Sequence, residues 1–388
     1  MRTRASRLVL VGGGHSHVDV LRRFALQPQP DLDVTLISPS PRVTYSGMLA
    51  GLVAGHYSAA ESNIDLAALA QWAGARLIVD SVVGLDLYTK TLTLADGDVE
   101  PFDLLAIDTG STPDMSQVPG AAENAVGVRP VSAFLTAWEA LRADAAEGKV
   151  GGIAVVGGGA SGVELLLAMQ HRLAADLGDA APRFALITDK PQLLPGFPPA
   201  VRARFGALLV ARGVVLHQNS GAIAVEPGTV ITTHQRRIAV DRIVWATAAA
   251  AQVWPAASDL ACDARGFIQV DKTLRSSSHP FVFATGDCAA RAGHPAPKSA
   301  AHAMRQGAPL AANLRHALRR ESFASCVPPR QVLTLIGTGG RHAVASRGPL
   351  VVEGAWVWRW KDRIARAYMA KFTLPETVVL QPPPPDGA

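Results

Sequence analysis

Two glycine-rich stretches carry the residues whose types and spacing could do chemistry. The clearer stretch is Gly157-x-Gly159-x-x-Gly162, which lies between an apolar run and a helical pattern. The first glycine of such a motif makes the turn, the second admits a pyrophosphate, and the third lets helix and strand pack closely. Asp189 ends the next apolar run, where an acid would bind a ribose hydroxyl. This favours NADH, although the adjacent Lys190 leaves NADPH open; a tight turn without a ligand is the alternative.

The other stretch, LVLVGGGHSHV at residues 8–18, could grip a phosphate or hold a metal ion. His17 stands in the slot of the third glycine, and the next strand ends at Ser38 instead of an acid. A metal site is disfavoured, because residues i and i+2 at a helix start point apart and no Cys, Asp or Glu pair nearby completes a ligand set. We therefore predict a pyrophosphate cradle and no metal, with these binding residues: Gly12, Gly13, Gly14, His15, Ser16, His17 and, at the ribose, Ser38.

Two further segments could complete a flavin site around this first loop. Such a site needs a second chain crossing near the dinucleotide, and Thr109-Gly110-Ser111-x-Pro113 follows a predicted strand. It also needs an acid for the ribityl chain, which Thr285-Gly286-Asp287 offers; an Asp-capped turn is the alternative. The helix after Pro297-Lys298 could aim its N-terminus at the flavin pyrimidine.

The elements that must position these residues form a repeated pattern. Each glycine stretch lies between a short strand and a helix, and a further strand follows at residues 33–38 and 183–188, so a βαβ unit occurs twice. Period-two alternation and an Asp96-Gly97 hairpin turn lead to a returning strand at 103–108. The pattern predicts an α/β fold with two Rossmann-like, three-layer FAD/NAD(P)-binding domains, the second inserted in the first, plus a small C-terminal α+β extension.

The predicted domain limits follow from strands at residues 242–247 and 281–290, the second of which would rejoin the first sheet. The expected regions are a discontinuous first domain, an inserted second domain, a C-terminal extension and a disordered tail, at residues 1–115 with 272–322, 116–271, 323–378 and 379–388, respectively. The tail prediction rests on its QPPPPDGA ending.

Composition excludes several classes of protein. A net charge of +5 without a dense basic block argues against a nucleic-acid partner. Three cysteines without a CxxC motif argue against a disulfide scaffold and a structural zinc, and fit a reducing compartment. Every long apolar run is broken by Pro, Gly or charge, so we expect no membrane span and a cytoplasmic protein.

The ordered motifs GGG, TGSxP, GGGxxGVE, WAT and FATGDC resemble the two-dinucleotide-domain flavoproteins, from about residue 6 to 320. That family includes pyridine nucleotide–disulfide reductases, type II NADH dehydrogenases and sulfide:quinone reductases. GGGHSHV, TYSGMLAGLVAGHYS and WRWKDRIARAYM are similar to the NADH dehydrogenase-like domain fused ahead of selenide, water dikinase. The resemblance implies FAD at the first loop, NAD(P)H at the second, and hydride transfer to flavin followed by electron transfer to a small-molecule acceptor such as a quinone. The family resemblance also implies that the discontinuous first domain is the FAD-binding domain and the inserted second domain the NAD(P)H-binding domain.

The same resemblance marks individual residues. An acid at Glu164 lies near the nicotinamide in related dehydrogenases, which makes it our one catalytic candidate; a helix ion pair is the alternative. Arg42 could meet the FAD pyrophosphate, or be an exposed turn residue. Ala246-Thr247-Ala248 lacks the glycine that the family has there, and residues 43–51 lack a CxxxxC, which excludes a local dithiol relay. Tyr45, Met48, His56 and Tyr57 could line an acceptor pocket or simply pack.

Three questions stay open at this point. One alternative function is a sulfide- or selenium-linked flavoprotein that uses Cys262, Cys288 or Cys326; another is a flavin-binding regulatory protein without turnover. The basic, aromatic residues 356–372 could contact the inner face of the cell membrane as a peripheral patch. They could also be a terminal strand, WVWRW, and a helix docked on the flavin domain. A homodimer is a further possibility.

Overall fold

A computed structural model of the protein describes residues 5–247, 249–291, 298–327 and 331–375. Its first part alternates parallel strands with helices, as the sequence predicts. The elements are β1 Ser6–Val11, α1 His15–Leu26, β2 Leu32–Ser38, β3 Arg42–Thr44, α2 Leu49–Val53, α3 Ala59–Ser62, β4 Asn63–Asp65, α4 Leu66–Trp72, β5 Arg76–Val79, β6 Val82–Asp86, β7 Thr91–Leu94, β8 Val99–Pro101, β9 Leu104–Ile107 and β10 Thr112–Pro113.

The second part repeats the layout. Its elements are α5 Ala121–Asn124, β11 Val126–Gly127, α6 Val131–Ala146, β12 Gly152–Val156, α7 Ala160–Leu177, β13 Arg183–Ile187, α8 Pro199–Ala211, β14 Val215–His217, β15 Ala222–Glu226, β16 Thr229–Thr232, β17 Arg237–Ala239, β18 Arg242–Trp245, β19 Ala249–Ala250 and α9 Trp254–Ala257.

The chain then returns to the first part and ends in a small extension. The returning elements are β20 Ile268–Val270, β21 Val282–Ala284, β22 Ala289–Arg291 and α10 Ala300–Arg319. The extension consists of β23 Thr334–Gly337, β24 Ala343–Arg347, β25 Leu350–Gly354 and α11 Ala355–Met369. The predicted tail lies outside the described residues.

Both main sheets have five parallel strands, four of which follow the same order, while the edge strand comes last along the chain in the first sheet and first in the second. The first runs β21-β9-β1-β2-β5 and the second β11-β18-β12-β13-β14, so that the strand before each glycine loop is central. A three-stranded antiparallel sheet, β6-β7-β8 or β15-β16-β17, accompanies each. The central strands are apolar on both faces: Leu8 to Val11 are at most 2% exposed, as parallel sheets between two helical layers require.

Strand β21 pairs in parallel with β9, so the chain completes the first sheet only after the second has been built. This confirms the expected fold of two Rossmann-like domains with the second inserted in the first, and a C-terminal α+β extension. The domain limits given above stay our proposal for where the divisions fall.

The extension packs on both domains, and it corrects one expectation. Residues 356–360, predicted as a strand, belong to helix α11. Tryptophans at positions 356 and 360 fit a period of two, but they also fit the i, i+4 spacing of a helix face. The opposite face carries Val357, which packs with β24 residues, and Ala365 and Tyr368, which join the core of the first domain.

Candidate functional site

The second glycine loop has the geometry that its motif predicts. Gly157 has a φ of +130°, and a Cβ atom there would lie 2.3 Å from the backbone oxygen of Ala246. A Cβ atom on Gly162 would lie 2.1 Å from the backbone oxygen of Gly157. Gly159, in contrast, faces open space. The first and third glycines are therefore required by packing, and the middle one leaves the backbone accessible.

A cavity of about 740 Å³ opens in front of this loop. The loop, the ends of β13 and β18 and the crossing segment 112–114 line it, together with Arg265 and Lys298 from the returning chain. Asp189 and Lys190 lie on its wall, where Lys190 Nζ and Asp189 Oδ2 are 2.7 Å apart in an exposed ion pair. Ala248, the third residue of the segment in which we noted a missing glycine, lies outside the described residues.

Lys298 lies where the returning chain meets this cavity. Its Nζ donates to the backbone oxygen of Ala289 at 2.5 Å and lies 3.9 Å from the ring centre of Phe267. Burial lowers the pKa of the Lys298 ammonium. The side chain therefore lies between the second loop's cavity and the turn that carries Asp287. Lys298 is two residues before helix α10, which the sequence places next to the flavin.

The first glycine loop makes the same kind of strand-to-helix turn as the second, with a histidine in place of the third glycine. Gly12 has a φ of +96°, and a Cβ atom there would lie 2.4 Å from the backbone oxygen of Asp108. The fully buried His17 ring places Nδ1 2.7 Å from the Gly12 oxygen. Because a carbonyl oxygen only accepts, Nδ1 donates and Nε2, which is buried without a partner, carries no proton. Burial lowers the pKa of His17 to about 4.

The two histidines of the first loop point to different partners. His15 Nε2 is hydrogen-bonded to Ser46 Oγ at 3.1 Å, and its ring lies 5.4 Å from the ring of Tyr45 and 6.2 Å from that of Tyr368. His17 instead faces the Gly12 oxygen. Within the described parts of the chain, no three His, Cys, Asp or Glu side chains are grouped to hold a metal ion.

Two more predicted residues lie around the rim of the first loop. A Cβ atom on Gly13 would lie 3.3 Å from Ser38 Oγ, so Ser38 adjoins the loop, and its hydroxyl donates to the Ser40 oxygen at 2.9 Å. Arg42 is exposed at the start of β3. Its side chain is accessible to a ligand from solvent.

Sequence reasoning missed Asp108, which lies against the first loop. Its Oδ2 accepts a hydrogen bond from the Ser16 backbone amide at 2.8 Å, and the residue is 3% exposed. Burial raises the pKa of its carboxyl. The available signal was a carboxylate between a buried strand and the Thr109-Gly110 crossing, where the second domain has Ala246 before Thr247.

Arg129 was also missed, and it joins two predicted segments. Its guanidinium is 2.9 Å from Asp287 Oδ2 and also donates to Ser111 Oγ. The preceding Gly286 has a φ of +65°, and its amide donates to Gln306 Oε1 at 2.7 Å. The crossing segment at Ser111 and the candidate ribityl acid Asp287 therefore lie side by side. Arg129 lies between them, and no local sequence motif predicts it.

The features of both loops fit a dinucleotide. Each loop is a glycine turn at the carboxyl end of a central parallel strand, with a helix N-terminus beyond it. Gly159 leaves open space in front of the second helix, and Thr109 Oγ1 and Thr285 Oγ1 are buried without partners beside the first. The family model of the pyridine nucleotide-disulphide oxidoreductases matches residues 6–307.

The chain belongs to this family. It is 24% identical over 371 residues to the NADH dehydrogenase-like protein YutJ of Bacillus subtilis, covering 92% of this chain and 98% of the relative. The sulfide:quinone oxidoreductase structure of Aquifex aeolicus aligns with a TM-score of 0.79 at 19% identity, over 95% and 91% of the two chains. NDH2 from Plasmodium falciparum in complex with NADH aligns with a TM-score of 0.79 at 15% identity, over 95% and 98%.

Membership of the pyridine nucleotide-disulphide oxidoreductases agrees with the predicted cofactors, FAD and NAD(P)H. The cysteines of this oxidoreductase are unpaired. Cys288 is buried, and its thiol donates to the backbone oxygen of Thr285 at 3.0 Å. Burial raises the pKa of Cys288 to about 12 and also raises those of Cys262 and Cys326. A thiolate is the reactive form, so all three environments disfavour the cysteine-based alternative.

Glu164, the catalytic candidate, lies away from the large cavity of this oxidoreductase. Its Oε1 accepts the Gly337 amide at 2.5 Å and forms an ion pair with Lys361 of α11. The pair lines a second, small cavity together with His56, Tyr57 and Trp358. Glu164 therefore has the geometry of the ion-pair alternative. Its partner, Lys361, is in the extension and not in the helix of Glu164.

Tyr45 and Met48, the other acceptor-pocket candidates, are buried in the core of the first domain. They pack in that core, while His56 and Tyr57 face the small cavity. Among the residues that the structure describes, no helix combines the length and apolarity needed to cross a bilayer.

Proposed function

We propose that this oxidoreductase is an FAD-dependent NAD(P)H dehydrogenase that passes hydride from NAD(P)H to flavin and electrons onward to an acceptor. The observation that carries the proposal is the cavity at residues 157–162, because the first domain's crossing segment and Lys298 close its far side. A nicotinamide bound there would extend toward Asp287 and the first glycine loop. The NADH dehydrogenase-like relative and the NADH-bound structural neighbour support the same reading.

The chain's own residues would bind and orient the two cofactors. In the second domain, the amides after Gly159 would hold the NAD(P)H pyrophosphate and Asp189 a ribose hydroxyl. In the first, residues 12–17 would hold the FAD pyrophosphate and Asp287 the ribityl chain, with Arg129 fixing Asp287. The bound flavin supplies the hydride chemistry, so the protein needs no general base for that step.

The acceptor would approach by another route. The small cavity of Glu164 and Lys361 lies between residues 47–57, helix α7 and the extension, and it shares no lining residue with the large cavity. We propose that a small acceptor approaches the flavin domain from this side, with Glu164 as the acidic group that lines the cavity. The cavity has a volume of about 20 Å³, room for about one water, so it would have to widen to admit the acceptor. A quinone is the leading acceptor, supported by the sulfide:quinone oxidoreductase neighbour. The finer likeness to dikinase-fused domains stays a prediction.

The outer face of α11 supports a further part of this proposal, peripheral contact with the inner face of the cell membrane. Trp356 and Trp360 are exposed and stack with ring centres 6.4 Å apart, and Ile364 continues the same face. Arg359 and Arg363 flank this stripe in sequence. Aromatic and basic residues on one helix face suit an anionic lipid surface, where a quinone would be met.

Anaerobic reduction tests the central proposal. The purified protein with its flavin is mixed with NADH and, separately, with NADPH, while the visible flavin absorption is followed. We expect at least one nucleotide to bleach the band. Gly159→Val, which fills the open space at the loop, should abolish bleaching, whereas Gly206→Val, at an equally open position on α8, should not. An unchanged band with both nucleotides overturns the proposal.

A further inference from the structure

The carboxylate of Asp108 occupies the position at the first glycine loop that an anionic ligand would favour. Ser16 is the second residue of α1, so its amide has no partner within the helix. Amides of this kind attract phosphates, and here Asp108 Oδ2 accepts the Ser16 amide at 2.8 Å. At the corresponding place in the second domain, Ala246 has only a methyl group, and the loop opens to the large cavity.

Glycines on two sides make room for this carboxylate. A Cβ atom on Gly14 would lie 2.3 Å from Asp108 Oδ2, and one on Gly286 would lie 2.2 Å from Oδ1. The carboxylate therefore sits between the phosphate-binding loop and the turn that carries Asp287. Asp108 lies inside the cradle to which the proposed function assigns the FAD pyrophosphate, and it brings a like charge to that ligand.

Among the described residues, the ionisable groups that act on Asp108 include His15 on α1, Asp287 and Cys288 on the returning turn, and Tyr368 on α11. Burial lowers the pKa of His15, so its ring is neutral at pH 7, and Asp287 already pairs with Arg129 at 2.9 Å. Burial raises the pKa of Asp108 itself, which makes proton uptake from water the accessible way to remove the charge.

We propose that Asp108 sets the affinity of the first site for its dinucleotide: its carboxylate holds the helix amide in the free protein, and FAD binds with uptake of one proton from solvent at Asp108. The inference rests on the proposed FAD site. It predicts that FAD affinity falls about tenfold per pH unit over the range between the pKa of Asp108 in the free protein and its higher pKa in the complex.

The test is FAD titration of the full chain after its flavin has been removed, followed by quenching of flavin fluorescence from about pH 6 to about pH 9. Calorimetry in buffers of different ionisation enthalpy counts the protons taken up. Asp108→Asn keeps an acceptor for the Ser16 amide but removes the charge, so we expect about tenfold tighter FAD binding at the alkaline end, no pH dependence and no proton uptake. Asp103→Asn, before the other end of the same strand, should behave like the wild type.

The outcomes separate the two proposals. If Asp108→Asn binds FAD with the wild-type affinity, pH slope and proton count, the inference about Asp108 is wrong and the FAD site stands. If Asp108→Asn and Asp108→Ala both weaken binding, Asp108 is a structural helix cap, which also overturns it. If neither the wild type nor any variant binds FAD, the proposed function itself fails. Unfolding midpoints of the variants show whether each is folded.

Discussion

The two glycine loops, residues 12–17 and 157–162, each follow the central strand of a five-stranded parallel sheet, but different groups pack against them. The second loop has only small residues against it. Gly162 packs on the Gly157 oxygen, and the methyl group of Ala246 leaves the helix amides open to a cavity. The first is closed by polar groups: His17 bonds to the Gly12 oxygen, and Asp108 to the Ser16 amide. The same backbone turn can therefore be either open to a ligand or already partly occupied by the protein's own side chains.

Adding a side chain at the tightly packed third glycine of the second loop should have the largest effect. Gly162→Ala places a Cβ atom 2.1 Å from the Gly157 oxygen, so we expect loss of NADH binding and about 3 kcal/mol of stability from overpacking. Calorimetric NADH titration and urea unfolding measure both. Gly206→Ala, at an open helical position, should instead leave binding intact and stabilise slightly. Normal NADH affinity in Gly162→Ala would break the comparison.

The histidine of the first loop should make stability depend on pH. The pKa of His17 is about 4 in the folded protein against 6.5 for an unperturbed histidine, so the unfolded chain binds the additional proton. The contribution of the neutral His17 to the free energy of unfolding is complete above about pH 6.5. It is lost as the pH falls toward 4, a change of about 3 kcal/mol. Urea unfolding across this range should show the slope in the wild type. It should be shallower in His17→Asn, whose amide keeps a donor for the Gly12 oxygen.

The acids at position 19 and position 164 follow the two loops at the same offset but have different partners. Asp19 pairs with Arg23 one helical turn away, whereas Glu164 pairs with Lys361 of the extension. Glu164→Gln should therefore cost about 2 kcal/mol, since it leaves a largely buried Lys361 unpaired. It should also speed tryptic cleavage within α11. Asp19→Asn should cost at most about 0.5 kcal/mol and leave cleavage unchanged; equal effects of the two changes would contradict the distinction.

The smallest expected effect concerns the strand ends that follow the loops, Ser38 and Asp189. Asp189→Ala should weaken NADH binding about tenfold by removing one charged hydrogen bond. The same change releases Lys190 from its ion pair, so NADPH binding should improve relative to NADH. Ser38→Ala is the matched change at the first loop and should leave both nicotinamide affinities unaltered. Calorimetric titrations with NADH and NADPH measure the two affinities. An unchanged ratio of NADH affinity to NADPH affinity in Asp189→Ala counts against the ribose contact.

The sequence predicted the parts of the fold that depend on local spacing. Glycine turns between β-branched strands and amphipathic helices locate both loops, and the buried strand at Val282–Ala284 returns to the first sheet as expected. It could not predict partners that are distant along the chain. Asp108 and Ser16 are 92 residues apart, and Lys361 and Glu164 are 197 apart. The helix at residues 356–360 was mistaken for a strand because tryptophans four apart satisfy both periods.

The pairing of β21 with β9 has a consequence for the order in which the protein can fold during synthesis. Strand β9 is flanked by β1 and β21, and β21 begins at residue 282, after the whole inserted domain has been translated. Until then one edge of β9 has unsatisfied backbone groups, which can pair with other chains. The inserted domain, whose five-stranded sheet is built from strands within residues 126–245, can finish first. We therefore expect the inserted domain to fold first during synthesis. The N-terminal sheet can be completed only after β21 has been translated.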